Sequence, residues 1–230
     1  MIHRPLMALV VRVNERWRDR VLTGLTLLIV LDLFLVVPLE ATRTVGIQPL
    51  SIVVVLLLIG GLLVVSQSIV PAVGVLVALL LLGIALVLRS RGSDVTLDAC
   101  FEATGWLAAG FVIIWVVAHA VFGPGKITYH RVIGAVLLYL TIGIVFVALY
   151  TLVGALTTDS FSGLKVHDRV SLPPDLVYFS FTTLTTVGFG DVVPVHPFAR
   201  SLSNLEAIVG QLYPATLLAR MVSLTSTYGH

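Results

Sequence analysis

Charge and cysteine are both scarce in this sequence. Of its 230 residues, 11% are charged and 58% are hydrophobic, whereas a soluble domain has roughly 25% charged and 45–50% apolar residues. The one cysteine, Cys100, excludes a disulfide within the chain and is expected to fill space in a helix. The net charge of +2, with basic residues clustered only at the N-terminus, argues against a nucleic-acid partner. We therefore expect an integral membrane protein in contact with the lipid bilayer.

Motifs for catalysis are also scarce. No Ser-His-Asp set, metal-ligand cluster or phosphate-binding loop stands out in the sequence. We therefore expect neither enzyme activity nor a cofactor. The first apolar run follows an arginine-rich stretch and lacks a small-residue cleavage site, which indicates a retained span rather than a signal peptide.

Long apolar runs dominate what remains. About 20 such residues cross a bilayer as a helix, and the runs of this kind are Val21–Leu39, Val45–Val65, Ile69–Leu88, Ala99–Phe122, Val132–Leu156 and Arg200–Leu224. The predicted fold class is an all-α membrane protein with six transmembrane helices. Asp32, Glu102, His119 and Glu206 lie within these runs, where ionisable residues are costly and require an explanation.

Arginine placement predicts the orientation. Five arginines precede the first span, which puts the N-terminus in the cytoplasm, and six spans return the C-terminus there. The loop with Arg89 and Arg91 then lies outside the cytoplasm, although cytoplasmic loops are the ones enriched in lysine and arginine. Residues 1–20 combine their arginines with apolar residues at helical spacing. We expect an amphipathic helix on the inner membrane surface, with a cytoplasmic extension of the first span as the alternative.

A different pattern separates the last two apolar runs. Residues 157–172 are polar, and Pro173-Pro174-Asp175 is typical of a helix start. The predicted helix 174–185 is too short to span, and Gly188 and Gly190 break regular structure after it. Irregular backbone at membrane depth must be buried in protein or line a water-filled cavity. The pattern indicates a pore loop, and a surface hairpin is the alternative.

The segment Thr186–Gly190 suits the coordination of a desolvated cation. Stacked rings of backbone carbonyls can replace the water of a potassium ion. Carbonyls that all face one axis require backbone conformations that glycine adopts readily, and Gly188 and Gly190 stand at alternate positions. The Thr186 hydroxyl adds one more oxygen. One strand supplies one side of each ring, so four chains must surround the axis.

The residues Thr186-Val187-Gly188-Phe189-Gly190-Asp191 resemble the selectivity filter of the potassium channel superfamily, usually Thr-Val-Gly-Tyr-Gly-Asp. Phenylalanine here replaces the tyrosine, a variant that the family also contains. The resemblance is strong over Val132–Leu224 and weak over residues 1–122. It implies a passive, potassium-selective homotetramer in a bacterial inner (plasma) membrane. It also implies K⁺ held by the carbonyls of Thr186, Val187, Gly188 and Phe189 and by the Thr186 hydroxyl.

The resemblance also suggests supporting residues. Tyr178 on the pore helix is expected to hydrogen-bond Asp191, and Thr185 and Glu206 are expected to support the filter, with Glu206 near Thr182 and Thr183. Simple aromatic packing is the alternative for Tyr178, and cavity exposure is the alternative for Glu206. Gly210 and Pro214 are expected to form a gating hinge. Close helix packing at Gly210 is the alternative.

The domain organisation follows from these assignments. We expect a four-helix domain at 21–122, a linker at 123–131 and a pore domain at 132–230. Within the pore domain we expect an outer helix 132–156, a turret 157–172, a pore helix 174–185, a filter 186–191 and an inner helix 200–224. The first domain resembles a voltage sensor, but Ala99–Phe122 contains no arginine. We therefore expect weak or absent voltage gating. The alternatives are a weakly selective cation channel and a non-conducting sensor subunit.

Overall fold

The computed structural model of the protein describes residues 20–41, 60, 69–92, 94–123, 129–164 and 174–227. These residues are mostly helical, with one two-stranded antiparallel sheet. The predicted amphipathic helix before Arg20, most of the predicted span Val45–Val65 and much of the predicted turret lie outside the described residues.

The elements follow the apolar runs of the sequence. In chain order they are α1 (residues 20–41), α2 (Ile69–Ser90), α3 (Val95–Phe122), α4 (Tyr129–Leu156), β1 (Phe161–Ser162), α5 (Pro174–Leu184), β2 (Val193–Pro194) and α6 (Pro197–Thr227). Strand β1 pairs with β2 so that Phe161 faces Pro194 and Ser162 faces Val193.

Four helices are long and apolar enough to cross a membrane. They contain the stretches Arg20–Leu39, Ile69–Ser90, Thr96–Phe122 and Tyr129–Leu156. Helix α6 occupies the predicted sixth span, but it is more polar and is not among these four. Its polar residues include Ser201, Ser203, Asn204, Glu206 and Gln211. The described residues therefore support four spans by composition, and the number six stays a prediction.

Helix α1 contains a wide turn near its end. Residues Asp32–Val36 are π-helical, and the N–H of Val37 donates to the carbonyl of Asp32. Pro38 follows in the chain and has no N–H, so it cannot donate to the carbonyl of Phe34 as an α-helix requires. The helix thus accommodates the missing donor by forming this wide turn.

The chain divides into two compact units. One comprises Met1–Ala72 and Trp115–Leu138, and the other comprises Val73–Ile114 and Tyr139–His230. In the first unit, α1 contacts the start of α4: Thr23 Oγ1 lies 2.8 Å from His130 Nδ1, and the Thr26 hydroxyl donates to the carbonyl of Ile133 at 3.3 Å. Leu22, Leu25 and Ile29 are buried in its core.

In the second unit, α2 and the first part of α3 form an antiparallel pair. A side chain at Gly74 would overlap Val112, and one at Gly105 would overlap Leu82. Small residues of this kind let two membrane helices approach closely. The turn between them passes through Gly92, whose φ of 65° suits glycine.

An ion-pair cluster closes the turn end of this helix pair. Arg89 at the end of α2 lies 3.0 Å from the Asp98 carboxylate and 2.5 Å from that of Glu102, both on α3. Both acids are buried, whereas the Arg89 side chain is 31% exposed. The cluster gives the intramembrane Glu102 a cation partner. It also gives a role to Arg89, which the predicted orientation places outside, against the positive-inside rule.

We expect Arg89→Met to lower the stability of the α2–α3 pair. The change leaves two buried carboxylates without their cation, a loss of about 2 kcal/mol given the partial exposure of Arg89. Thermal unfolding of the purified protein in detergent measures it. Arg91→Met is the matched control, since Arg91 is exposed in the turn. Equal melting temperatures for the two variants would contradict the assignment.

Candidate ion-conduction site

The site begins with the short helix α5. Pro174 and Asp175 occupy its first turn, where a missing N–H and an acidic group are both favourable. Its 11 residues are too few to cross a bilayer. The helix packs against α6 and buries one face, which consists of Leu176, Val177, Phe179, Ser180 and Leu184.

The C-terminus of α5 turns directly into the predicted filter. The N–H of Thr186 donates to the carbonyl of Thr183 at 2.9 Å, and that of Val187 donates to the carbonyl of Thr182 at 2.8 Å. This pair of bonds is a Schellman motif, which normally has glycine where Thr186 stands. Gly188 adds a third bond, from its N–H to the carbonyl of Thr182 at 3.1 Å. The N–H groups at the start of the filter are therefore all used by α5.

The backbone conformation alternates along the segment. Thr186, Gly188 and Gly190 have φ values of 58°, 51° and 79°, whereas Val187 and Phe189 keep negative φ. An N–H points opposite to the carbonyl of the preceding residue, so the bonds from Val187 and Gly188 to α5 direct the carbonyls of Thr186 and Val187 away from that helix. No hydrogen bond to a carbonyl of Thr186–Phe189 occurs within the part of the chain that the structure describes.

Strain is concentrated at Thr186. The left-handed conformation costs a residue with a Cβ roughly 1–2 kcal/mol of conformational energy. A β-branched residue such as threonine is uncommon there. Such strain persists where the surrounding structure imposes it, and it is found at functional sites. Here the N–H bond to Thr183 imposes it.

The outer part of the segment contacts α5 through aromatic and polar groups. The Tyr178 hydroxyl donates to Asp191 Oδ1 at 3.2 Å, so the predicted hydrogen bond is present. The Tyr178 and Phe189 rings stack with centroids 6.2 Å apart and 7° between their planes. In the single chain, Val187 and Phe189 remain 55% and 71% exposed.

Glu206 on α6 is fully buried behind α5. Its Oε1 accepts from the Ser180 hydroxyl at 2.5 Å, and its Oε2 accepts from the Tyr150 hydroxyl at 2.6 Å. The carboxylate thus joins α4, α5 and α6. The sequence predicted Glu206 against the short helix, near Thr182 and Thr183. Its hydrogen-bond partners are Ser180 of that helix and Tyr150 of α4, which the sequence did not indicate.

Aromatic packing and the small sheet hold the flanks of the site. The rings of Tyr150, Phe161 and Phe179 pack edge to face, with centroids 5.0 to 5.6 Å apart. After the filter, the N–H of Val195 donates to the carbonyl of Ser160 at 2.9 Å. Both ends of the segment are therefore anchored to the same region of the second unit.

Gly210 packs closely against the base of the segment. A Cβ on Gly210 would overlap the carbonyl oxygen of Leu184. The same oxygen accepts from the Tyr139 hydroxyl at 3.2 Å. Pro214 lies four residues later inside α6 and has no N–H for the carbonyl of Gly210. The close-packing alternative for Gly210 therefore has direct geometric support, and the hinge stays a prediction.

One polar contact was missed in the sequence. Gln211 Nε2 donates to Thr186 Oγ1 at 2.7 Å, from α6 to the first residue of the segment. The two residues are 25 positions apart, and no local pattern links them. The hydroxyl of Thr185, the other predicted support, donates to the carbonyl of Phe181 in the last turn of α5.

Comparison with known proteins agrees with this geometry. The "Ion channel" family model matches residues 134–227, from α4 through α6. Protein LctB of Bacillus caldotenax is 44% identical over 55 residues, 24% of this chain and 40% of that protein. Two-pore potassium channel 1 of Arabidopsis thaliana is 39% identical over 91 residues, 40% of this chain and 22% of that protein. Over this region the chain is similar to ion channels, among them potassium channels.

The extent of these matches is limited. The chain spans less than half the length of the curated relatives it matches. Two-pore potassium channel 5 of Arabidopsis thaliana, 28% identical over 98 residues, covers 43% of this chain and 21% of its own length. No solved structure gives a significant match. The matched region contains the predicted filter, Glu206 and Gly210. The apolar helices of the chain and the match to ion channels support an integral membrane protein.

We expect Gly210→Ala to destabilise the pore region. The added methyl overlaps the Leu184 carbonyl, and overpacking of this kind costs about 1–3 kcal/mol. Thermal unfolding in detergent measures the loss. Gly154→Ala on α4 is the control, because a Cβ there meets nothing within 4 Å and alanine is the better helix former. If Gly210→Ala melted no lower than Gly154→Ala, the packing assignment would be wrong.

Proposed function

We propose that four copies of this chain surround one axis and conduct K⁺ passively and selectively through a pore lined by Thr186–Gly190. One observation supports this most. The N–H groups at the start of this segment are bonded to α5, and the alternating φ values leave its carbonyls unpaired on the opposite side. Unpaired carbonyls on one side of a strand are what a dehydrated cation requires.

The cation sites follow from this arrangement. Four strands facing one axis form rings from the carbonyls of Thr186, Val187, Gly188 and Phe189, and the Thr186 hydroxyls form a further ring at the inner mouth. A K⁺ ion between two rings exchanges its water for protein oxygens. The α5 helix adds the negative end of its dipole near the inner mouth, which favours a cation there. Tyr178, Thr185 and Asp191 hold the outer and inner ends of the strand.

The tetramer is supported by what a single chain leaves exposed. Val187, Phe189 and the α6 residues Leu205, Ile208 and Leu212 are all large, apolar and exposed. Neighbouring subunits would bury them and complete each carbonyl ring. The polar composition of α6 also fits a helix that lines an aqueous cavity as the sixth span.

The remaining assignments complete the proposal. Both termini lie in the cytoplasm of a bacterial inner membrane, as the arginines before Val21 suggest. Voltage gating is weak or absent, because α3 has no arginine or lysine and a field acts only on charge. Gly210 and Pro214 form a hinge: Pro214 offers no N–H to the Gly210 carbonyl, which eases bending, and the contact with Leu184 transmits the movement to the base of the filter.

The test is ion flux through the full chain reconstituted in liposomes. We expect K⁺ efflux that greatly exceeds Na⁺ efflux and changes little between imposed voltages. Equal K⁺ and Na⁺ flux would favour the weakly selective cation channel. A protein that assembles as a tetramer but carries no flux would favour the non-conducting sensor subunit. Either result would refute the proposed function.

We expect Gly188→Ala to abolish K⁺ flux or its selectivity. The change forces a Cβ into a left-handed conformation, at a cost of roughly 1–2 kcal/mol, inside the carbonyl rings. Gly92→Ala is the matched control, because Gly92 also has a positive φ and no atom within 4 Å of an added Cβ, but it lies in the α2–α3 turn. Flux lost equally in both variants would point to general destabilisation instead.

A further inference from the structure

The Gln211–Thr186 contact joins α6 directly to the candidate filter, whereas Glu206 on the same helix contacts α4 and α5. Thr216 bonds the carbonyls of Leu212 and Tyr213 within its own helix. Gln211 instead reaches out of α6 to the hydroxyl of Thr186 at 2.7 Å. Both residues are exposed in the single chain, so the contact does not fill a core. It lies on the open side of the site, where the first ring of oxygens would meet the cavity.

The chemistry of the two groups limits what the contact can do. A threonine hydroxyl has one proton and two lone pairs. An amide N–H that donates to this oxygen occupies one lone pair and holds the hydroxyl in one rotamer. The backbone of Thr186 is already fixed by its N–H bond to Thr183, so this rotamer is the main freedom that remains. The oxygen keeps one lone pair for a cation.

We propose that Gln211 is a positioning residue that orients the Thr186 hydroxyl and weakens cation binding at the innermost ring of the pore. The amide places a partly positive hydrogen beside that ring and competes for its oxygen. Conduction requires sites that bind strongly enough to admit an ion and weakly enough to release it. Gln211 thereby favours release into the cavity. This inference rests on the proposed function.

Barium block of the full chain in planar bilayers tests the inference. Ba²⁺ is close in size to K⁺ and carries twice its charge, so it binds carbonyl and hydroxyl rings tightly and interrupts the K⁺ current. Gln211→Met removes the donor and keeps the length. Gln211→Asn keeps the amide but is one methylene too short to reach Thr186. Gln211→Glu replaces the donor with a negative acceptor.

We expect Ba²⁺ to block the Met and Asn variants at about three- to tenfold lower concentration than the wild type, which corresponds to one lost hydrogen bond. The Glu variant should be blocked at still lower concentration, because its charge adds to the ring. Thr216→Val is the control and should match the wild type. The K⁺ current before Ba²⁺ is added shows that each variant has assembled.

The opposite results are distinguishable. If Asn behaved like the wild type while Met did not, polarity of the cavity rather than the bond to Thr186 would set the block, and the inference would be wrong. Unchanged block in Met, Asn and Glu alike would also overturn it. A wild-type chain without K⁺ current would overturn the proposed function, and this inference with it.

Discussion

The pore region depends on how α5 ends. The carbonyls of Thr182 and Thr183, which a longer helix would have used, accept from Thr186, Val187 and Gly188. Because a peptide's N–H and C=O point in opposite directions, fixing the N–H groups of this strand also fixes its carbonyls. The next carbonyl, that of Leu184, is held by the Tyr139 hydroxyl and lies against Gly210. The geometry of the candidate filter is thus set by the end of one helix and by the two helices beside it.

A buried carboxylate stabilises this arrangement only because it is fully hydrogen-bonded. An acid without partners in an apolar interior would cost several kcal/mol. Glu206 accepts one hydrogen bond from a hydroxyl of α5 and one from a hydroxyl of α4, and the rings of Phe161 and Phe179 pack against Tyr150. The three helices cannot slide past each other without breaking one of these bonds. The carboxylate therefore fixes the depth of α5 relative to α4 and α6.

The sequence predicted the helices and proposed a filter segment because both patterns are local. Apolar runs mark α1 to α4, and turn residues bound α5, which extends from Pro174 to Leu184. The Tyr178–Asp191 bond was also predicted, since the superfamily pattern implies it. The partners of Glu206 and Thr186 were not predicted. Tyr150 lies 56 residues from Glu206, and Gln211 lies 25 residues from Thr186. Such pairings depend on how each helix is rotated about its own axis, which cannot be read from one sequence.

The same limit applied to the α2–α3 pair. Helix α2 extends to Ser90 and α3 begins at Val95, so Arg89 and Asp98 belong to helices rather than to the loop that their charge suggested. The Schellman motif at the end of α5 was equally hidden, because threonine is a poor residue for its left-handed position. In both places a local preference is overridden by tertiary contacts.

The clamped arginine of α2 has a consequence for how a membrane potential acts on this protein. Arg89 is the only cation of α2, and it is fixed between two carboxylates of the neighbouring helix. Electrical work is the product of charge, displacement and field, and a charge that cannot be displaced does none. The cluster also has one more negative than positive charge when all three groups are ionised. It therefore biases the local potential permanently instead of responding to it.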